Sequence, residues 1–160
     1  MTDAMTMRGK PLCLALLILV SVAAIPRAPS TADPGDDELS QVLQTKDGDT
    51  EAVKKFKDTG KNPYNHDAEA IAAGFKLARA YACTHCHAGD LSGLIGPNLT
   101  SGNWRHLRNR TDKGMFQTLY FGTGAGMAAW GKLGALTEDE ILKVIAFVRS
   151  KYRGKDITWE

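Results

Sequence analysis

Two cysteines two residues apart, with a histidine directly after the second, stand at Cys83-Thr84-His85-Cys86-His87. No other stretch constrains the chain as strongly. A Cys-x-x-Cys-His run is the attachment pattern for a c-type haem. Each thiol can bond one vinyl group, and the two-residue gap sets both sulfurs on one side of a tight helical turn. The histidine then lies under the ring, where its imidazole can bind iron. A redox dithiol would head a helix after a βα unit, and no strand pattern precedes Cys83. A zinc site needs about four ligands, and the remaining cysteine, Cys13, lies in a leader. A disulfide between such close neighbours explains nothing about His87.

The leader says where such a haem would be used. Arg8 and Lys10 precede an apolar run from Pro11 to Val20, which continues weakly to Ile25 before small residues follow. Residues 1–32 therefore read as a secretory signal peptide and its cleavage region. Ala23, Ala24, Ala28 and Ala32 all suit cleavage. The run is short for a membrane span of about 20 residues. The expectation is an exported periplasmic protein with no stable membrane insertion once the leader is cut. Cys13 leaves with the leader, so Cys83 and Cys86 are the thiols that remain. Removing Arg8, Lys10, Arg27 and Asp3 from 20 basic and 18 acidic residues leaves 17 of each. That balance lacks the basic excess of a nucleic-acid binder. Charge is nonetheless uneven: residues 33–38 are acidic, 54–61 and 105–113 basic. Solvated surface and a docking patch for a redox partner are both open readings.

Residues 33–66 form an N-terminal arm, 67–154 the domain proper and 155–160 a tail. Residues 26–50 look like an exposed arm: Pro26, Pro29 and Pro34 cannot sit in helix interiors, and Asp47-Gly48-Asp49 reads as a turn. A short helix from Glu51 carries Val53 and Phe56 and ends near Gly60. Leu39, Val42, Leu43 and Phe56 are the arm's candidate anchors. Asp67 suits an N-cap, and Ile71, Gly74, Phe75, Ala78 and Ala82 repeat at helical spacing. Gly74 offers a close crossing point for another helix. Thr111 can cap a shorter helix with Met115, Phe116, Leu119 and Tyr120. The last helix has a capping box from Thr137 to Glu140 and an apolar stripe of Ile141, Val144, Ile145, Val148 and Tyr152. Leu142, Ala146 and Phe147 widen the stripe, so it should touch both the first domain helix and a haem edge. Gly154 is the expected stop. Glycines and Pro97 break every period between Gly89 and Arg110. The fold class is all-α, with few helices and long loops around one covalent haem.

An electron-transfer haem needs a second axial ligand. Outside the leader the methionines are Met115 and Met127. Met115 sits in an apolar helical stripe and reads as core. Met127 follows Gly122-Thr123-Gly124-Ala125-Gly126 and precedes Ala128-Ala129-Trp130, where glycines let backbone approach a flat cofactor. Met127 is thus the expected ligand, with Trp130 on the haem edge. His106, among Arg105, Arg108 and Arg110, reads as surface, as does His66; His85 should face outward. A carbonyl near Pro97 can accept the second imidazole N–H of His87.

With Cys83-x-x-Cys86-His87, Gly96-Pro97-Asn98-Leu99 and Met127-x-x-Trp130 in this order, residues 67–152 resemble a class I c-type cytochrome. The resemblance implies the class I cytochrome c fold, with crossing first and last helices, and a non-enzymatic carrier of single electrons. Cys83 and Cys86 then bond the haem, His87 and Met127 bind iron, and Pro97 lies beside the histidine. The family's aromatic residue four or five positions before the first cysteine is missing: Ala78 and Arg79 stand there, leaving Phe75 or Tyr81 to fill the space. A narrower likeness lies in residues 60–65 (Gly-Lys-Asn-Pro-Tyr-Asn), 68–72, 111–116 and 139–144. These are similar to cytochrome cL, the periplasmic acceptor for quinoprotein methanol dehydrogenases of the calcium or lanthanide type. That likeness implies such an enzyme as donor and a small cytochrome c or oxidase as acceptor. It also makes calcium near the haem a candidate second ion, with no ligands assigned. A general carrier with another donor, and a haem enzyme or gas sensor with open iron, are the alternatives.

Overall fold

The computed structural model describes Met1, residues 36–155 and Trp159. The leader reading, and the arm and tail beyond these bounds, lie outside the described residues. Six α-helices and a short 3₁₀ turn make up the described regular structure: α1 Asp36–Val42, α2 Glu51–Thr59, α3 Ala68–Ala80, α4 Cys83–His87, the turn Leu107–Arg110, α5 Asp112–Phe121 and α6 Glu138–Ser150. No strand occurs among the described residues.

Local chemistry starts these helices where the sequence places them. Thr50, Asp67, Thr111 and Thr137 each accept a backbone N–H of their helix's first turn. At α6 the box closes both ways, with Glu140 reaching back to Thr137; such a cap contributes about 1 kcal/mol. Gly60 ends α2 in the left-handed conformation at φ 71°, which glycine adopts without steric cost.

The scaffold rests on the crossing of α3 over α6. Ala70, Gly74 and Ala78 form the buried stripe of α3. A Cβ at Gly74 would lie 2.0 Å from the Lys143 carbonyl oxygen, so the helices meet backbone to backbone. This shifts the expected face. Ile71 is only half-buried and Phe75 is exposed, because so close a crossing leaves room only for small side chains. Phe75 instead lies beside Phe147 of α6 at a centroid distance of 5.2 Å, and Tyr81 meets Trp130 edge-on at 5.7 Å. Ala82 is not on the helix at all.

Ile141, Leu142, Val144, Ile145, Ala146, Phe147 and Val148 of α6 are all buried, each large one worth about 1.5–3 kcal/mol of apolar transfer. The helix stops at Ser150 with Lys151 as its cap, four residues before Gly154. Gly154 serves another end: a Cβ there would strike the Tyr152 hydroxyl. Arg149, in the last turn of α6, is buried and donates from Nε to Asp112 Oδ1 at 2.9 Å and from Nη2 to the Asn109 carbonyl at 3.0 Å. Asp112 Oδ2 also accepts from the Asn62 amide and Asn65 Nδ2. One carboxylate thus ties the arm, α5 and α6 together.

The arm is less exposed than its prolines suggest. It contains α1, and Leu39 and Phe56 are buried while Val42 and Leu43 pack against the core. Phe56 meets Phe116 of α5 at 4.9 Å.

Candidate haem site

The Cys-x-x-Cys-His run folds as the single turn α4, and the backbone around it is bent to present it. Ala82 enters at φ 58°, Ala88 leaves at φ 67° and ψ 161°, and Leu91 turns back at φ 64°. Non-glycine residues rarely take these values, and such positions cost about 1–3 kcal/mol each. The loop that follows then closes over the turn. Leu94 N–H and Gly96 N–H both donate to the Cys86 carbonyl, at 3.2 and 2.8 Å, and Gly93 N–H donates to that of His87 at 2.9 Å. These bonds satisfy carbonyls that a short helix leaves open.

The same loop orients the imidazole. His87 is buried, with Nδ1 2.9 Å from the Pro97 carbonyl oxygen. A carbonyl can only accept, so Nδ1 carries the hydrogen and Nε2 keeps its lone pair. A Cβ at Gly96 would lie 2.6 Å from Cε1 of the ring; the backbone at Gly96-Pro97 is packed against the histidine.

Met127 comes from the loop after α5. Gly122, at φ 71°, allows the reversal, and a Cβ there would lie 2.5 Å from the Met127 carbonyl oxygen. Thr123 N–H donates to that carbonyl at 3.0 Å, Gly126 N–H to the Thr123 carbonyl at 3.4 Å, and Trp130 N–H to the Leu119 carbonyl at 3.1 Å. The loop is therefore closed on itself and pinned to the end of α5.

Cys83, Cys86, His87, Pro97, Met127 and Trp130 line one cavity of about 330 Å³. Its walls are mainly apolar: Leu91 and Leu99 from the first loop, Met115 and Leu119 from α5, and Val144, Phe147 and Val148 from α6. Met115 is thus both core, as its spacing predicts, and cavity wall. His85 and His66 are exposed, as expected. His106 departs from its surface reading: it is half-buried and lines the cavity together with Trp104, Arg105 and Asn109. No helical period runs through this loop, so nothing local in the sequence marks His106 as a lining residue.

These residues suit a haem. Two free thiols, one half-buried and one exposed, share the cavity with an imidazole and a thioether, and the walls between are apolar. Burial pushes the Cys83 thiol above its ordinary value, the opposite of what activates a nucleophilic dithiol. Among the described residues no group of three or more His, Cys, Asp or Glu side chains could hold a metal ion. None of their helices is long and apolar enough to cross a membrane.

Comparisons with known proteins bear on the same region. Residues 69–148 match the family model described as cytochrome c oxidase, cbb3-type, subunit III. The chain is 38% identical over 126 residues to cytochrome c-L of Methylorubrum extorquens, covering 76% of this chain and 62% of that protein. It is 36% identical over 100 residues to the cbb3-type cytochrome c oxidase subunit FixP of Bradyrhizobium diazoefficiens, covering 52% of this chain and 34% of that one. The chain therefore spans about three fifths of the first of these relatives and about one third of the second. Two crystal structures superpose with a TM-score of 0.63 each. Cytochrome cL of the marine methylotroph Methylophaga aminisulfidivorans is 41% identical over 70% of this chain and 74% of that one. Cytochrome cL of Hyphomicrobium denitrificans is 34% identical over 72% and 67%.

Proposed function

Because this chain belongs to the cytochrome cL family of class I c-type cytochromes, with one covalently bound haem c, we propose that it is a periplasmic carrier of single electrons. It takes them from a quinoprotein methanol dehydrogenase and passes them to a small cytochrome c or an oxidase. The observation that carries the proposal is the convergence of His87 and Met127, 40 residues apart, on the cavity that also holds Cys83 and Cys86.

The haem, when bound, supplies a one-electron couple at iron. The chain does the rest. Cys83 and Cys86 fix the cofactor's place through thioether bonds. His87 offers Nε2 to the iron while its Nδ1–H stays with the Pro97 carbonyl, which fixes both tautomer and ring orientation. Met127 offers a thioether sulfur from a loop that Thr123 holds shut; this Met/His pairing raises the potential of cytochromes c. Trp130, which lines the same cavity, would pack at the haem edge. The leucine, valine and phenylalanine walls keep water from the ligands. Cys86 is exposed, so a haem bonded to it would have that edge near the surface, within reach of a transient partner. His87 and Met127 would together hold the iron, which would leave it no free site for substrate.

The donor is supported by the extent of the likeness. The generic cytochrome match stops at 80 residues, 69–148, whereas the identity to cytochrome c-L runs over 126 and takes in more than the haem domain. Calcium forms no part of the proposal.

The holoprotein, mixed with methanol and methanol dehydrogenases of the calcium and lanthanide types in turn, should show a reduced-haem spectrum with at least one. A haem that stays oxidised with both would leave a carrier for another donor. Met127→Ala should abolish the sulfur-to-iron band of the oxidised protein and admit carbon monoxide to the reduced one. An unchanged band would remove Met127 from the iron.

A further inference from the structure

Behind one wall of the cavity lies a layer of side chains that neither thioether attachment nor iron ligation uses. The wall is Trp104, which is buried and lines the cavity. Its ring stacks on Tyr152 at 6.1 Å with an interplanar angle of 9°. Tyr152 in turn meets Trp159 edge-on at 4.7 Å. Arg149 faces both indoles, its guanidinium carbon 4.0 Å from the Trp159 ring centre and 5.5 Å from that of Trp104. Trp159, beyond the end of α6, is only 6% exposed.

Arg149 needs this company. Its Nε and Nη2 donate to Asp112 and to the Asn109 carbonyl, but Nη1 is buried with no hydrogen-bond partner among the described residues. A buried cation short of acceptors is costly, and the negative face of an indole offsets part of that cost. The Trp159 face is the nearer of the two. Arg149 also shapes the site, because Asn109, whose carbonyl it binds, lines the cavity. The surroundings leave little slack. Arg153 N–H donates to the Thr100 carbonyl at 2.8 Å, and a Cβ at Gly102 or Gly154 would strike the Tyr152 hydroxyl. The loop that carries Trp104 and the segment after α6 are thus fitted together around Tyr152, and Trp159 covers the side of Tyr152 and Arg149 that Trp104 does not.

We propose that Trp159 is a positioning residue for the haem: it seals the layer behind Trp104 against water and so keeps the haem's affinity for its electron high. This rests on the haem reading above and adds to it a residue that acts through Arg149, Tyr152 and Trp104 without lining the cavity itself. The sign follows from solvation. Oxidised iron carries one more positive charge than reduced iron, and a charge is harder to hold where water is excluded. The apolar shell around a metal sets solvent access and dielectric, and hence its potential. Opening the layer behind Trp104 therefore favours the oxidised form.

The test is spectroelectrochemistry of holoprotein carrying Trp159→Ala, Trp159→Phe or Phe56→Leu. Trp159→Ala should shift the midpoint potential downward. Trp159→Phe keeps an aromatic face over Arg149 and should shift it less. Phe56 is buried in the arm and lines no part of the cavity, so Phe56→Leu should lower the thermal midpoint and leave the potential unchanged. In the reduced, diamagnetic wild type, the side-chain N–H protons of Arg149 should exchange slowly with solvent and carry the upfield NMR shift of protons over a ring face. This readout stands even where a variant fails to mature. Holo Trp159→Ala with the wild-type potential, a shift in Phe56→Leu equal to that in Trp159→Ala, or Arg149 protons that exchange freely without such a shift overturns this inference and leaves the carrier reading intact. A wild-type protein without covalent haem, shown by acid–acetone extraction of its colour, overturns both.

Discussion

A single methyl group at position 96 distinguishes a packed imidazole from one that merely points the right way. The Cβ of Gly96→Ala would fall 2.6 Å from Cε1 and 2.8 Å from Nδ1 of His87, closer than real Cβ contacts allow. The ring must tilt, and the 2.9 Å bond to Pro97 lengthens. A histidine ligand with a weaker second hydrogen bond is a weaker base toward its metal, and such outer partners matter tenfold or more in metal sites. Gly96→Ala should therefore mature poorly, or mature with a shifted midpoint potential. Gly89→Ala, two residues after the same histidine, opens onto empty space and should mature with the wild-type potential. Equal behaviour of the two would show that Gly96 does not set the ring. At this scale the sequence was generous: Cys83, Cys86, His87, Pro97 and Met127 could be named from spacing because each has chemistry tied to a position. His106 could not, since a residue set among arginines in an irregular loop reads as surface until the fold half-buries it. Ala82, Ala88 and Leu91 were illegible for a different reason. Their left-handed backbone is imposed by the closure of the loop on α4, and neither alanine nor leucine signals it.

At the level of elements, the α3–α6 crossing decides whether the cavity has walls. Ala78 from α3 and Val144, Phe147 and Val148 from α6 all line it, so separating the helices widens the site. Gly74→Ala places a methyl 2.0 Å from the Lys143 carbonyl oxygen and 2.5 Å from its carbon. Backbone cannot rotate away as a side chain can, so the helices must part. Overpacking of this kind costs about 1–3 kcal/mol, more than offsetting the roughly 1 kcal/mol by which alanine favours a helix interior over glycine. Urea denaturation of the holoprotein should show a midpoint lowered accordingly; a raised midpoint would mean that helix propensity decides at this position and the crossing is looser than it stands here. Gly74 was readable as a crossing point because a glycine inside an amphipathic helix has few other uses. The face was misassigned because Phe75 and Ile71 looked like the core-facing residues. Apolar size predicts burial only where there is room, and a backbone-to-backbone crossing leaves none.

The whole molecule is fastened by polar contacts between segments far apart in sequence, and these give it a pH profile. Asp139, at the start of α6, accepts from the hydroxyls of Thr50 and Tyr64, each at 2.8 Å, and pairs with Lys143 at 2.6 Å. Burial pushes against its charge, yet the bonds from Lys143, Thr50 and Tyr64 prevail and hold its carboxyl below the ordinary 3.8. Asp49 is lowered too: burial opposes its charge, but bonds from Lys57 and the Lys46 amide outweigh it. Lys57, its side chain 1% exposed, lies 2.8 Å from Asp49 and 2.7 Å from Glu138. Burial works against its ammonium, but the two carboxylates prevail and raise it above 10.5. A carboxyl lowered on folding stabilises fully above its unfolded value and loses that contribution as pH falls through the folded one. A lysine raised on folding contributes fully below its unfolded value and loses it as pH rises through the folded one. The arm's attachment should therefore be flat between about pH 4 and pH 10 and weaken outside that window. The apolar anchors of the arm, Leu39 and Phe56, could be picked out by spacing; the hydroxyl bonds to Asp139 and the Lys57–Glu138 pair could not, because no local pattern marks contacts 75 to 89 residues apart. Asp139→Asn isolates the acid limb. It should unfold at a lower temperature than wild type at pH 7, and the gap between the two thermal midpoints should narrow as pH drops below 4, where the wild type loses the same charge. A gap constant from pH 7 to pH 3 would mean that the arm's hold on α6 depends on shape alone and not on the Asp139 carboxylate.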